Sequence, residues 1–204
     1  MYLNSAPFWL RCIYPKGLEW RLNSKDRSIY LTFDDGPVPE VTPAVLEILR
    51  KYNIKATFFC VGENVAKYPE TYKLLIENGQ AIGNHTFHHT KAWKTEFSSY
   101  IQDVRLCNDL VQSKLFRPPH GQITRKIASE LRKNYRLIMW SALTGDYDTN
   151  LTAEQCLQTA IRHTRHGAII VFHDSIKAQP RMEYALPLFI EYCLRNGYQF
   201  ITIE

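Results

Sequence analysis

Residues 29–37 read IYLTFDDGP, an apolar run that ends in two carboxylates and a Gly-Pro pair. The β-branched and aromatic residues of this run predict a buried strand, and the Gly-Pro pair predicts a turn. Asp34 and Asp35 stand where the strand meets the turn. Because successive side chains of a strand point to opposite faces, the two carboxylates can do different work. An isolated Asp-Asp-Gly is also typical of a plain turn, so its interpretation depends on the rest of the chain.

Strand-like and helix-like runs alternate along the whole chain from this stretch onward. We predict strands over 28–33, 55–61, 80–84, 114–117, 135–141, 168–173 and 198–203. We predict helices over 42–53, 69–78, 96–112, 124–134, 152–165 and 182–196. Thr42 before Pro43 predicts an N-cap, and Thr152 with Gln155 predicts a capping box. Repeated β-then-α steps predict a parallel sheet with right-handed crossovers, either closed as a barrel or open and doubly wound.

The polar residues at the strand ends distinguish a barrel from an open sheet. They follow five of the predicted strands and are Asp34 and Asp35, Asn84 and His85, Arg117, Asp146, and His173. In an open sheet only the strands beside a switch point converge on one crevice, whereas in a barrel every C-terminal strand end faces the same mouth. The sequence therefore predicts an α/β fold with a barrel in a single domain.

Composition supports one domain and gives no sign of a nucleic-acid partner. The chain has 204 residues, of which 45% are hydrophobic, and no linker or charge block divides it. We assign residues 28–204 to the domain and residues 1–27 to an aromatic lead-in packed on the barrel. The net charge of +5 is modest and scattered, which argues against nucleic-acid binding. Nothing in the sequence indicates an oligomeric state.

The cysteines and the apolar runs indicate the cellular compartment in which the protein works. The five cysteines are odd in number, widely spaced and mostly within apolar segments. They are typical of small buried hydrophobes in a reducing compartment rather than of a disulfide framework or a CxxC metal site. The sequence shows neither a secretory signal pattern nor an apolar run long enough to span a membrane. On these grounds we expect a cytoplasmic protein.

Two histidines four residues apart suggest a metal site. His85 and His89 would share one face of a helical turn and could chelate one ion. Thr86 stands where a zincin protease would carry glutamate, which excludes that motif. Paired histidines at this spacing also occur without metal, but two His and one Asp form a known catalytic zinc set. We expect His88 to face away from the ion.

Three later stretches of the sequence carry further candidate active-site residues. Arg117 ends a strand before a rigid Pro-Pro turn, Asp146 lies in a loop, and His173 ends a buried strand. Each also has a plain interpretation, as a surface arginine, a solvated loop carboxylate or a strand-end histidine.

Five motifs, in this order and at this spacing, resemble those of one known family. They are Thr32-Phe-Asp-Asp-Gly36, His85-Thr-Phe-His-His89, Arg117-Pro-Pro-His-Gly121, Asp146-Tyr147 and Val171-Phe-His173. On these motifs the chain resembles the polysaccharide deacetylases, the NodB-homology group known as carbohydrate esterase family 4. The resemblance covers roughly residues 28–203. It implies a distorted (β/α)7-type barrel, with 28–204 as the catalytic domain, and metal-dependent removal of acetyl groups from N-acetylated carbohydrate.

The resemblance also implies a metal site and a base. Asp35, His85 and His89 would hold one divalent ion, and Asp34 would act as the general base. The ligand types favour zinc, although cobalt or nickel could substitute.

The remaining implied roles concern orientation and proton supply. Arg117 would keep Asp34 ionised and aimed, and the backbone N–H of His120 would stabilise the oxyanion together with the metal. His173 would protonate the leaving amine, with Asp146 stabilising its charged form.

The chain departs from the family pattern mainly where substrate would bind. His120 replaces Tyr, Tyr147 replaces Trp and Val171 replaces Leu; we assign all three to substrate binding. Thr90 replaces a common Pro, and Leu143 stands where many members carry Asp. The residues assigned to bond-making are intact, so we expect an N-deacetylase of N-acetylglucosamine-containing glycans or sugar precursors. An O-acetyl esterase or non-sugar amidase of the same fold, or an inactive sugar-binding relative, remains an alternative.

Overall fold

The computed structural model describes residues 13–23 and 27–204, and within these ranges nine strands form one parallel sheet. The strands are β1 Leu18–Glu19, β2 Ser28–Asp34, β3 Thr57–Cys60, β4 Ala81–Asn84, β5 Leu115–Phe116, β6 Arg136–Ile138, β7 Ala142–Leu143, β8 Ala168–His173 and β9 Gln199–Phe200. The helices are α1 Thr42–Lys51, α2 Gly62–Lys67, α3 Pro69–Glu77, α4 Phe97–Val111, α5 Arg125–Leu131, α6 Ala153–Arg162 and α7 Gln179–Arg195. Short 3-10 turns cover Ala92–Lys94 and Pro119–Gly121.

The sheet curls into a distorted barrel, in which residues 136–143 run from β6, next to one end of the sheet, to β7 at the other end. The strand order is β1-β6-β5-β4-β3-β2-β8-β7, with β9 added beside β2. Strand β6 pairs with β5, and β7, which follows it after three residues, pairs with β8. Between them the backbone N–H of Ser141 donates to the carbonyl of Ile169 at 2.8 Å. The predicted (β/α)7-type barrel in one domain is therefore confirmed.

Strand β2 shows how the sequence pattern sets inside and outside. Ile29, Leu31 and Phe33 pack in the large apolar cluster that includes the helices. Tyr30 faces the other way, into a smaller cluster inside the barrel that includes residues of β3, β5, β6 and β8. Alternation then places Asp34 on the inner face at the C-terminal rim.

The predicted helices and strands are all present, with differences at several boundaries. Helix α2, six residues long, was not predicted because one and a half turns carry too little periodicity. The predicted N-cap at Thr42 is wrong, because α1 begins at Thr42 itself. Its hydroxyl instead donates to Oδ2 of Asp174 at 2.6 Å. The capping box of Thr152 and Gln155 is confirmed.

Parts of the lead-in and the cysteines can be located. Trp20 is buried against Met139, and its ring meets Trp140 edge-on. Residues 1–12 and 24–26, including Cys12, lie outside the described residues, so the assignment of 1–27 stays a prediction. The other four cysteines, Cys60, Cys107, Cys156 and Cys193, are buried and unpaired as predicted. No helix in the described ranges has both the length and the apolar character needed to cross a bilayer.

Candidate active site

The register of the sheet brings the predicted site residues to one rim. Asp34 on β2 is the direct neighbour of His173 on β8. Two and three strands away from β2, Asn84 on β4 pairs with Phe116 on β5, so His85 and Arg117 follow at the same level. Residues that are far apart in the sequence therefore meet because parallel strands end together.

The predicted ligands Asp35, His85 and His89 converge on one point. Oδ1 of Asp35 lies 3.2 Å from Nε2 of His89 and 3.7 Å from Nε2 of His85. All three ligand atoms lie within 4.8 Å of one another. Ligand atoms around a tetrahedral zinc ion, at bonds of about 2.0–2.1 Å, are roughly 3.3 Å apart. The donor types and their spacing thus fit a divalent cation.

His85 is prepared as a neutral ligand. Its Nδ1 lies 2.8 Å from the carbonyl oxygen of Arg117, which can only accept, so Nδ1 carries the proton and Nε2 presents its lone pair. Burial lowers the pKa of His85 to about 4, and this outweighs the opposing carboxylates of Asp34 and Asp35. Burial would raise the pKa of Asp35, but the hydrogen bond from His89 and neighbouring histidine charges hold it well below its usual value. At neutral pH the site therefore offers one carboxylate and a neutral imidazole.

The expected helical turn between the two histidines is wrong. Residues 85–89 form a loop in which Thr86 and His89 adopt left-handed conformations, with φ of 61° and 54°. The carbonyls of Thr86 and Phe87 accept from the first N–H groups of helix α2. The two imidazoles therefore converge through a folded loop instead of through helical spacing.

Asp34 and Arg117 form a buried ion pair inside the barrel. Nη1 of Arg117 donates to Oδ1 of Asp34 at 2.6 Å and to the hydroxyl of Thr32 at 2.8 Å. Nη2 donates to the carbonyl of Met139 at 3.0 Å, where the chain crosses from β6 to β7. Burial lowers the pKa of Arg117, and the Asp34 carboxylate partly offsets this. Oδ2 of Asp34 lies on the side of the ion site, 4.0 Å from Nε2 of His85.

Asp146 holds His173 by two bonds. Its Oδ1 lies 2.8 Å from Nδ1 of His173, and its Oδ2 accepts from the His173 backbone N–H at 2.7 Å. Burial disfavours the charged ring, but the carboxylate of Asp146, with smaller contributions from Asp35 and Asp34, outweighs burial and raises the pKa of His173 to about 9. Arg181 donates from Nε to the Asp146 carbonyl at 2.6 Å and fixes this loop to helix α7. The imidazolium thus has Nδ1 engaged and Nε2 left for other partners.

The three residues assigned to substrate lie at different depths. His120 is exposed, with a left-handed φ of 57°, and its ring centroid lies 4.5 Å from that of His89. Tyr147 is half-buried and meets the ring of His173 edge-on at 4.8 Å. Val171 is fully buried on the same face of β8 as His173. Their contact with a sugar, and the oxyanion role of the His120 N–H, stay predictions.

Comparison with known proteins identifies the family. A family model described as Polysaccharide deacetylase matches residues 21–136. The chain belongs to the polysaccharide deacetylase family. It is 30% identical over 198 residues to a peptidoglycan-N-acetylglucosamine deacetylase of Bacillus cereus, covering 91% of this chain and 90% of the relative. It is 35% identical to a chitooligosaccharide deacetylase of Azorhizobium caulinodans, covering 76% and 77%.

A solved polysaccharide deacetylase matches the fold over nearly the whole chain. It is the crystal structure of a peptidoglycan N-acetylglucosamine deacetylase in complex with 4-naphthalen-1-yl-N-oxidanyl-benzamide. The match has a TM-score of 0.85 and 28% identity, and it covers 97% of this chain and 94% of that chain.

Sequence reasoning missed two buried acids that support this deacetylase site. Asp174 accepts from the N–H of Gly36 at 3.0 Å as well as from Thr42. A Cβ on Gly36 would lie 1.9 Å from its Oδ2, so the turn after Asp35 needs glycine. Burial raises the pKa of Asp174 to about 8. An acid directly after a strand-end histidine was an available signal; the second acid, Asp103 on α4, gave none.

Proposed function

We propose that this polysaccharide deacetylase removes N-acetyl groups from N-acetylglucosamine-containing glycans or sugar precursors and needs one divalent cation to do so. The observation that carries the proposal is the position of Asp34. Its Oδ1 is held by Arg117, its Oδ2 lies beside the ligand His85, and its strand neighbour is His173. A base, an ion site and an acid therefore share one rim. The names of the similar proteins, which act on peptidoglycan and chitooligosaccharides, support the same reaction.

Asp35, His85 and His89 would hold the cation, and their oxygen and nitrogen donors favour zinc. When bound, the cation would polarise a carbonyl oxygen and lower the pKa of a coordinated water. The second sphere is already in place, because the Arg117 carbonyl fixes the His85 ring and the Asn64 side chain donates to the Asp35 carbonyl at 2.7 Å.

The acid and the base divide the proton transfers. Oδ2 of Asp34 would take a proton from the water that attacks the acetyl carbon, while Arg117 keeps Oδ1 occupied. His173 would give the proton on Nε2 to the sugar nitrogen as the C–N bond breaks, since Nδ1 is bound to Asp146. Acetate and a free amino sugar result.

The Asp146–His173 pair favours an amide over an ester as the substrate. An amine is a poor leaving group unless it is protonated, whereas an alkoxide leaves more readily. A pKa of about 9 keeps His173 protonated at neutral pH, which suits an amide-cleaving acid. We therefore place N-deacetylation ahead of O-deacetylation for this site.

Acetate release across a small panel of substrates tests the proposal. With zinc added, we expect release from chitooligosaccharides or N-acetylated peptidoglycan fragments, and much less from acetylated xylan, for the reason just given. Release from xylan alone would assign an O-acetyl esterase instead. Glycan binding without any release would identify an inactive relative.

The His89→Ala variant tests the ion site directly. The parent should retain about one zinc per chain after dialysis, because three protein ligands suffice for a catalytic site. The variant keeps only Asp35 and His85 and should retain far less than one. Elemental analysis of both proteins measures this. No stoichiometric ion in the parent, together with activity insensitive to chelators, would contradict the metal requirement.

A further inference from the structure

Asp103 of helix α4 lies at the centre of the contacts that hold the ligand loop, defined here as residues 85–90. Its Oδ2 accepts from the backbone N–H of His88 at 3.2 Å and from the hydroxyl of Thr90 at 2.6 Å. Its Oδ1 lies 2.6 Å from Nδ1 of His88. Its backbone carbonyl accepts from the N–H of Phe87 at 3.2 Å. One buried residue outside the loop thus forms hydrogen bonds with Phe87, His88 and Thr90 of the loop.

The two histidine ligands differ in how they are held. His85 is fixed by its own bonds, because its ring donates to the Arg117 carbonyl and its N–H donates to the Cys60 carbonyl at 3.0 Å. The His89 side chain is 32% exposed. Within residues 13–23 and 27–204, no hydrogen bond reaches its Nδ1 or its backbone N–H. The His89 ring does contact Asp35 through Nε2, but Asp35 is itself a ligand, so the backbone on either side of His89 is what presents the ring to the ion site.

Asp103 controls that backbone on both sides. His88 directly precedes His89 and Thr90 directly follows it, and both donate to the same carboxylate. Thr90 also donates from its N–H to the hydroxyl of Thr86 at 3.0 Å, which closes the loop on itself. His89 is left-handed, with φ of 54°, a conformation that an unrestrained non-glycine residue rarely keeps. The carboxylate therefore restrains a backbone that would otherwise relax.

We propose that Asp103 is a positioning residue that fixes His89 and thereby sets the affinity of the site for its cation. By holding residues 88 and 90, it keeps Nε2 of His89 at 3.2 Å from Oδ1 of Asp35. The inference rests on the proposed function, since it assumes that Asp35, His85 and His89 bind an ion. It adds that the backbone around the second histidine ligand is held from helix α4.

Zinc affinity of the metal-free protein tests the inference without relying on turnover. Competition with a chromophoric chelator gives the zinc dissociation constant of the parent and of each variant. We expect Asp103→Ala to bind zinc roughly 10–100-fold more weakly, the loss typical when an outer-sphere partner is removed. Asp103→Asn keeps one acceptor oxygen and should fall in between. Asp109→Asn removes an exposed acid from the same helix and should bind like the parent.

Amide exchange separates positioning from general destabilisation. In Asp103→Ala the amide of His88 should exchange faster, because its acceptor is gone. The amide of Phe87 should stay protected, because its acceptor is the backbone carbonyl of residue 103. Should the alanine variant fail to fold, Thr90→Val removes one bond only and should still weaken zinc binding.

The outcomes distinguish this inference from the proposed function. A parent that binds zinc tightly, with Asp103→Ala and Thr90→Val binding equally well, would overturn the role of Asp103 and leave the proposed function intact. A parent that binds no zinc would overturn both.

Discussion

The Asp34→Asn variant should turn over its substrate roughly 10²–10⁴-fold more slowly than the parent while keeping its ion. An amide side chain of the same shape cannot take the proton from the attacking water. The three ligand residues are unchanged, and Oδ2 of Asp34 is 4.0 Å from Nε2 of His85 and outside the ligand cluster. Measuring kcat and zinc content on the same preparation checks both halves of this prediction.

Asp35→Asn is the matched control, because it makes the same change at the next residue. Asp35 contributes the carboxylate of the ion site, so its variant should lose zinc and turnover together. Asp34→Asn also removes the charge that faces Arg117, and breaking a buried ion pair can cost about 3–5 kcal/mol, so thermal unfolding should accompany the assay. Unchanged kcat in a folded Asp34→Asn protein would remove Asp34 from the role of base.

These two neighbours show what the sequence could predict. The strand ending in Asp34 was identifiable from its apolar pattern, and the polar residues after five strands predicted a common rim. The first inference depends on the periodicity of the local sequence. The second depends on the general rule that parallel strands end together. The same rule accounts for the position of Asp34 beside His173, because these two residues are paired neighbours at the ends of β2 and β8.

The shape of the ligand loop could not be predicted in the same way. Helical spacing predicted that His85 and His89 would meet, and they do, but through left-handed residues that are not glycine. Such conformations persist only where surrounding contacts impose them. The contact that imposes this one comes from Asp103, thirteen or more residues away on a helix whose polar positions look alike in sequence. Long-range partners of this kind have no local signal.

The second large effect is expected from Asp146→Asn, and it depends on pH. The Asp146 carboxylate is the largest of the attractions that outweigh burial and raise the pKa of His173 to about 9, so the parent keeps a charged acid up to that pH. Without the Asp146 carboxylate, burial is opposed only by the weaker attraction of Asp35 and Asp34, and the pKa of His173 should fall towards the ordinary value of about 6.5. At pH 8 the variant would then lack its acid, and kcat should fall roughly 10²–10³-fold. At pH 6 the loss should be smaller, because more of the ring is protonated.

The pH profile of kcat and the pH dependence of stability test this prediction independently. The basic limb of the parent profile should lie near pH 9 and should move down by more than one unit in the variant. Because the folded-state pKa of His173 is raised, the stability that this pair contributes is full below about pH 6.5 and is lost as pH rises towards 9. The parent should therefore lose unfolding free energy over that window, and Asp146→Asn should lose less. A basic limb that stays in place in the variant would show that this limb does not report the titration of His173. His173 would then not be the group that supplies the proton.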